Sequence, residues 1–309
     1  MSKAHVYDMI IVGGGPGGYT AAIYAASAGL DTLVLEKLSA GGQMALSEEI
    51  NNYPGFEEGV DGYTLAEKMQ RQAERFGARM VYAEVERMEL AAEPKVLETS
   101  EGVFYARTVA LATGAGPREL GLADEAELVG RGVAYCAACD GMRYRGKTVV
   151  VVGGGNSAAG DALALSRIAE KVILVHRRDK LRATKAYDRP LSQAGNIEFR
   201  WNSAVVELLH GDKLSGVRLR DVNTGEETEL ACDGVFISVG RKPATELVKG
   251  QLEMDKNGYI AADETTKTSL PGVYAVGDVR TKALRQVVTA VADGAAAVHM
   301  AEEYLAGGE

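Results

Sequence analysis

The chain has 309 residues, 46% apolar and 25% charged, and 34 basic against 43 acidic side chains give a net charge of −9. That length exceeds what one hydrophobic core usually fills, so two domains are expected. The acidic balance, with one Trp and five Phe and no basic-aromatic stripe, argues against nucleic acid as a partner. No apolar run approaches the roughly 20 residues that span a bilayer, so no membrane span is expected. Met1–His5 leads straight into a strand and leaves no room for a signal peptide, so a cytoplasmic protein is expected.

The first elements form a dinucleotide-binding pattern. Tyr7–Val12 is a short apolar run that reads as a buried parallel strand. It enters Gly13-Gly14-Gly15-Pro16-Gly17-Gly18, which holds G-x-G-x-x-G at Gly13, Gly15 and Gly18. Tyr19–Ala28 has helical spacing, and the strand Thr32–Leu35 ends at Glu36. Gly13 permits the turn, Gly15 lets a pyrophosphate approach the backbone, and Gly18 lets helix and strand pack closely. Pro16, within the same turn, is a further cofactor-binding candidate. Glu36 is placed to bond both hydroxyls of a ribose. Lys37 and the loop residues Gly42, Gln43 and Asn52 are further candidates around this site.

An amphipathic helix is expected over Leu65–Phe76. Met80–Leu90, Lys95–Thr99 and Val103–Tyr105 alternate in character and read as a β-meander. Thr108–Thr113 reads as the next parallel strand, ending at Thr113-Gly114, two more candidates for the cofactor.

Cys136-Ala137-Ala138-Cys139-Asp140 comes next. In a reducing compartment a Cys-x-x-Cys pair points to redox catalysis or metal binding. No second pair exists, and the only other cysteine is Cys232, so no metal is expected. A cysteine at a helix N-terminus has a lowered pKa. The spacing lets both sulfurs meet on one turn and exchange with another disulfide. Asp140 is a candidate acid–base, with a turn or cap role beside Gly141 as the alternative. Cys232 reads as a small core residue.

The opening pattern then repeats. The strand Lys147–Val152 enters Gly153-Gly154-Gly155-Asn156-Ser157-Ala158, with Ala158 in place of the third glycine. A helix over Ala158–Ile168 and a strand over Lys171–Val175 follow. The step from Gly13 to Glu36, repeated from Gly153, lands on His176, and Arg177, Arg178 and Arg182 lie just beyond. An acid at that register suits a ribose diol, whereas arginines bind a 2′-phosphate by charge-assisted bonds. The first site therefore fits FAD and the second, with Gly153, Gly155, Asn156, Ser157 and Ala158, fits NADPH. A helix over Thr184–Ala194 and strands at Ile197–Arg200, Ala204–Leu209, Leu214–Arg220 and Glu227–Leu230 mirror the first half, as does Gly234–Val239. Leu270–Asp278 reads as a strand ending in Gly277-Asp278, and Asp278 is placed for a flavin ribityl or phosphate-side group. Arg285-Gln286 opens a small-residue helix, Val287–Leu305, whose free N–H groups suit the pyrimidine edge of a flavin.

In order and spacing, Gly13–Gly18, Cys136–Gly141, Gly153–Ala158, His176–Arg178 with Arg182, Gly277-Asp278 and Arg285-Gln286 resemble the low-molecular-weight thioredoxin reductases of the FAD/NAD(P)-linked disulfide oxidoreductase superfamily. That resemblance implies an α/β protein of two Rossmann-like, three-layer ββα domains, the second inserted in the first. Residues 1–115 and 245–309 would form the FAD-binding domain, and residues 116–244 an NADPH-binding domain carrying the dithiol. It also implies a homodimer, an NADPH domain that rotates, and thioredoxin or a thioredoxin-like protein as partner. Cys139 would face the flavin, Cys136 would attack thioredoxin, and Asp140 would be the acid–base. Gly160-Asp161 stands where the family often has two glutamates, and Met142-Arg143 where some relatives carry two Phe. Alternatives are a ferredoxin-dependent flavin thioredoxin reductase and an FAD-dependent dithiol oxidase, both disfavoured by the arginine cluster. A non-catalytic flavin redox sensor is disfavoured by the intact Cys136, Cys139 and Asp140.

Overall fold

A computed structural model of the chain describes residues 5–37, 40–47 and 49–307. It comprises two compact units, Met1–Gly116 with Lys242–Glu309, and Pro117–Arg241. The first opens with β1 (Val6–Val12), α1 (Pro16–Ser27), β2 (Thr32–Glu36), α2 (Gly62–Phe76), β3 (Arg79–Tyr82), β4 (Val85–Glu89), β5 (Lys95–Thr99) and β6 (Gly102–Leu111). After β7 (Ala115–Pro117) come β8 (Val133–Ala134), α3 (Ala137–Asp140), β9 (Thr148–Val152), α4 (Asn156–Ser166), β10 (Lys171–Val175) and α5 (Asp188–Gln193). The second unit continues with β11 (Ile197–Arg200), β12 (Ser203–His210), β13 (Leu214–Asp221), β14 (Glu227–Ala231) and β15 (Gly234–Ile237). After β16 (Arg241–Pro243), β17 (Val273–Ala275) and α6 (Val287–Leu305) return to the first unit.

In the first unit the sheet order is β3-β2-β1-β6-β5-β4, with β17 also paired to β6. The strands β3, β2, β1, β6 and β17 run parallel. Both faces of β1 are covered, which explains its unbroken apolar sequence. Ile10 and Val12 enter one core with Leu33, Leu97 and Val273. Met9 and Ile11 enter the other, with Ala21, Ala25 and Ala297 of the covering helices. Small residues bring α1 and α6 into close approach: a Cβ on Gly294 would lie 2.3 Å from the carbonyl oxygen of Gly17. Helix α2 is capped by Asp61, whose carboxylate accepts the Thr64 N–H at 2.7 Å. It buries Leu65, Ala66, Met69 and Ala73.

The second unit repeats this plan. Its main sheet runs β11-β10-β9-β15-β8, and its four strand pairings are all parallel. Val149 and Val151 face the helix layer with Ala158, Ala162 and Leu165. Val150 and Val152 face the opposite core, shared with Val205, Leu208, Val217 and Leu219. Those four come from the antiparallel sheet β12-β13-β14. Helix, parallel sheet and meander thus make three layers.

Several expected elements differ from those observed. Val103–Tyr105 and Thr108–Leu111 belong to one strand, β6, which is antiparallel to β5 at its start and parallel to β1 and β17 at its end, and Ala112 and Thr113 lie past it. Arg107 suggests a break there, but it points outward and pairs with Asp8 at 3.2 Å. Met80–Tyr82 pairs parallel with β2 rather than joining the meander. The helix expected over Thr184–Ala194 is a 3-10 turn, Lys185–Tyr187, followed by the short α5. Pro190 lacks an N–H and is tolerated only in a first turn, so the α-helix begins at Asp188.

Candidate active site

In the first glycine turn, Gly13 sits at the C-terminal end of β1 with φ +108°, and its N–H donates to the Leu35 carbonyl at 2.9 Å. A Cβ on Gly18 would lie 1.9 Å from the carbonyl oxygen of Gly13, so helix and turn meet with no side chain between them. Around Gly15 a Cβ would meet nothing within 4 Å, which leaves a cradle at the N-terminus of α1. Pro16 is the first residue of that helix. The Glu36 carboxylate accepts the Gly14 N–H and, at 2.9 Å, the Lys37 N–H. It is therefore fixed beside the turn. Lys37 Nζ pairs with Glu84 at 2.6 Å.

Tyr19 is fully buried, and its hydroxyl has no hydrogen-bond partner among the described residues. A Cβ on Gly14 would fall 2.7 Å from that hydroxyl and 2.6 Å from Glu36 Oε2, so both oxygens flank the turn. Burial first, and the Glu36 charge second, hold the Tyr19 phenol above its ordinary range. The Gly41–Gly42 segment lies across the turn, with the Gly41 N–H donating to the Gly14 carbonyl at 2.9 Å. Gln43 follows in an exposed 3-10 turn.

The C-terminal segment brings further predicted residues to the same unit. Asn52 Nδ2 donates to Gln286 Oε1 at 2.8 Å, joining two positions 234 residues apart. Gln286 is the N-cap of α6. Thr113 Oγ1 donates to the Ala244 carbonyl at 2.7 Å, and Gly114 turns the chain with φ +73°. Gly277 has φ +75° and donates its N–H to Asp293 Oδ2 at 2.8 Å. Asp278 follows it, and Arg285 donates to the carbonyls of Asp278, Arg280 and Lys282 while its guanidinium lies 4.0 Å above the Tyr259 ring.

Asp293 anchors this segment. It accepts Arg280 Nε and Nη2 at 2.9 and 2.7 Å and Lys282 Nζ at 2.8 Å. Burial opposes its charge, but these donors outweigh it, so the Asp293 carboxyl titrates below the ordinary range. The sequence reading misses this triad. The available signal is an acid within an otherwise small, apolar helix, with two cations just before that helix.

In the second unit Cys136 and Cys139 are joined as a disulfide with Cα atoms 5.3 Å apart. Cys136 caps the four-residue helix α3, and its Sγ accepts the Cys139 N–H at 3.2 Å. Asp140 closes the helix and is half-buried. The helix packs on α4 through Gly141, where a Cβ would meet Leu165 at 3.2 Å. Cys232 is buried in the core, which pushes its thiol up to about 12 and leaves it inert.

The second turn has the first one's shape and different contacts. A Cβ on Gly153 would meet the Ser238 carbonyl at 2.4 Å, whereas Gly155 again faces open space at the N-terminus of α4. Asn156 Oδ1 accepts the Thr184 N–H at 2.8 Å, and Ser157 is exposed beside it. Ala158 is fully buried. His176 lies directly against Gly154, where a Cβ would meet the ring at 2.1 Å. Its Nε2 is buried without a hydrogen-bond partner among the described residues. Burial, then the charges of Arg182, Arg178 and Arg177, lower its pKa. His176 therefore supplies shape at the expected position, and the positive charge comes from the exposed Arg177, Arg178 and Arg182. Arg182 is tied to the turn by its N–H, which donates to the Gly154 carbonyl at 2.6 Å.

Trp201, the only tryptophan, stacks on Phe199 at 4.9 Å and meets the His176 ring edge-on at 6.5 Å. At the middle of α4, Ser238 Oγ donates to Asp161 Oδ2 at 2.5 Å. Burial raises the Asp161 pKa against the opposing effects of Ser238 and Arg241.

Each open cradle is lined by a turn's N–H groups and a helix N-terminus, which suits a pyrophosphate. The first adds a fixed carboxylate for a ribose diol and an unpartnered hydroxyl. The second adds three arginines for a phosphate. The donor sets thus fit FAD and NADPH respectively. Among the described residues no group of three His, Cys, Asp or Glu side chains is placed to hold a metal ion, and no helix is long and apolar enough to cross a membrane.

Residues 7–294 match the pyridine nucleotide-disulphide oxidoreductase family. The chain is 45% identical over 299 residues to a thioredoxin reductase of Treponema pallidum, covering 97% of each chain. It is 42% identical to one of Bacillus subtilis, covering 99% of this chain and 96% of the other. A crystal structure of thioredoxin reductase from Streptococcus pyogenes superposes with a TM-score of 0.89 at 42% identity, covering 99% of this chain and all of that one.

Proposed function

The chain belongs to the pyridine nucleotide-disulphide oxidoreductase family and, within it, to the thioredoxin reductases, and from that premise we propose how its residues divide the work. The enzyme is a flavoprotein oxidoreductase that uses FAD and NADPH. Bound FAD supplies a two-electron carrier between NADPH and a protein disulfide. The first unit holds it through the cradle at Gly15, the Glu36 carboxylate and the segment from Gly277 to Gln286. The inserted unit holds NADPH through the cradle at Gly155, with Arg177, Arg178 and Arg182 on the 2′-phosphate.

The Cys136–Cys139 disulfide takes up the electron pair and becomes a dithiol. The Cys136 sulfur sits where the Cys139 N–H already points at it, and the same donor stabilises a thiolate there. Cys136 then attacks the partner's disulfide, which forms a mixed disulfide and releases one partner thiolate. Cys139 attacks Cys136 in turn, which frees the second partner thiol and restores the intramolecular bond. Asp140, next to Cys139, carries a proton to the departing sulfur. The partner is thioredoxin or a thioredoxin-like protein. The enzyme works as a cytoplasmic homodimer, and it places no metal in the path.

The observation that carries this reading is the disulfide at the N-terminus of α3, whose first sulfur serves as the helix cap. Its test is turnover of oxidised thioredoxin with NADPH by the wild type, Cys136→Ser and Cys139→Ser. The expected result is full loss in both variants, with a mixed disulfide to thioredoxin trapped only by Cys139→Ser. Retained turnover in either variant would refute the reading.

A further inference from the structure

Eleven residues before Cys136, Glu125 is 3% exposed. A buried carboxylate needs partners, and Glu125 has four. Its Oε1 accepts the Leu120 N–H at 3.0 Å, and its Oε2 accepts those of Gly121 and Leu122 at 2.9 and 3.1 Å. The fourth donor is the Tyr135 hydroxyl, at 2.8 Å from Oε1. Tyr135 is bonded directly to Cys136. Burial, then the bond to Glu125, raise the Tyr135 phenol far above its ordinary range, so it remains a donor at any working pH.

This clamp sits where the backbone ladder runs out. Strand β8 has only two residues, Val133 and Ala134, paired to β15. Past Ala134 the chain leaves the sheet, and α3 is one turn long. The body of α3 is fixed by packing, at its first residue through buried Ala137 and past its last through Gly141 against Leu165. On the upstream side, the Tyr135 hydroxyl bond ties the chain to a loop that the same carboxylate folds. Leu120, Leu122 and Tyr135 pack against one core with Leu128 and Val133. Glu125 therefore couples the loop at 120–122 to Tyr135, the residue immediately before the one that carries the attacking sulfur.

We propose that Glu125, acting through Tyr135, is a positioning residue for the Cys136–Cys139 disulfide. It touches neither sulfur. It fixes the entry to α3 so that Cys136 is held at its cap, and its loss costs the disulfide-exchange steps while sparing reduction of the flavin. The inference rests on the thioredoxin-reductase reading of Cys136 and Cys139.

The test compares two NADPH-driven activities of the FAD-loaded enzyme. Oxidised thioredoxin needs the disulfide. Ferricyanide takes single electrons from the flavin and does not. Glu125→Gln removes one acceptor oxygen, whereas Tyr135→Phe removes only the hydroxyl and keeps the ring in its core. In both variants kcat for thioredoxin is expected to fall about tenfold, the scale of a slightly misplaced reacting group. The KM for thioredoxin, ferricyanide turnover and flavin content are expected to match the wild type. Should Glu125→Gln fail to fold, Tyr135→Phe decides alone. Unchanged thioredoxin turnover in folded Tyr135→Phe would overturn the proposal. An equal fall in both activities would do the same, because it marks general loosening of the fold. A wild type that reduces ferricyanide but no thioredoxin would instead refute the underlying reading.

Discussion

The two glycine turns share one backbone plan, and the difference that decides their ligands lies at the end of the second strand. At the first, Glu36 reaches back to the Gly14 N–H and presents a fixed carboxylate. At the second, His176 covers Gly154 as an uncharged ring and leaves Arg177, Arg178 and Arg182 exposed beyond it. Strand, turn and helix supply the generic part of each site, a pyrophosphate cradle. The residue at the end of the second strand supplies the specific part. A fold used twice thus acquires two ligands through a handful of side chains.

Removing the specific part of the first site is the strongest way to break this comparison. Glu36→Ala removes a charged acceptor of two hydroxyls, each such bond worth about 1.5–3 kcal/mol. FAD affinity is expected to fall at least about 100-fold. The variant should elute colourless from gel filtration, and titration of the apoprotein with FAD measures the loss. Full retention of flavin would remove Glu36 from the site.

At the second site the charge is shared, so the effect is smaller. Arg177→Ala combined with Arg178→Ala is expected to raise the KM for NADPH on the order of 30-fold and to leave that for NADH nearly unchanged. Trp201 fluorescence gives a second readout, because its ring meets His176 at 6.5 Å. NADP⁺ should perturb it in the wild type at concentrations well below those the double variant needs. An equal loss for both nucleotides would show that the arginines do not read the 2′-phosphate.

The third motif position sharpens the comparison on stability. Gly18→Ala places a methyl 1.9 Å from the Gly13 carbonyl oxygen, and such overpacking costs about 1–3 kcal/mol. Ala158→Gly opens no clash and costs about 1 kcal/mol of helix propensity. Thermal unfolding of the two variants should therefore rank Gly18→Ala as the more damaging.

The smallest expected effect concerns His176. Its pKa is lowered in the folded protein, so near and below its unfolded value of about 6.5 the unfolded chain binds more protons. The stability that this group contributes is present above that pH and is lost as pH falls. Urea midpoints at pH 7.5 and 5.5 should differ less in His176→Asn than in the wild type. Equal differences would mean that His176 is protonated in the fold.

Much of this was legible in the sequence because the turns are local. Gly13–Gly18 and Gly153–Ala158 each announce a strand before and a helix after, and the helix Val287–Leu305 is observed with the bounds its pattern predicts. The boundary at Arg107 was not legible, because an outward charge on a long strand reads like a loop. Pro190 signals the break before α5, because it lacks an N–H and fits only a first turn. Asp293 and Glu125 were hidden for another reason. Asp293 is recognisable only once the fold brings Arg280 and Lys282 to it. Glu125 lies in an unremarkable acidic run, and nothing short of the folded loop shows that its carboxylate gathers three backbone N–H groups and the neighbour of Cys136.

The most direct test of the two-site account is anaerobic titration of the purified yellow protein with NADPH and, separately, NADH, followed by visible absorbance. The account predicts that NADPH bleaches the flavin near stoichiometry, that NADH does so only at far higher concentration, and that oxidised thioredoxin restores the colour. Equal bleaching by both nucleotides, or by neither, would contradict the assignment of the second turn to NADPH.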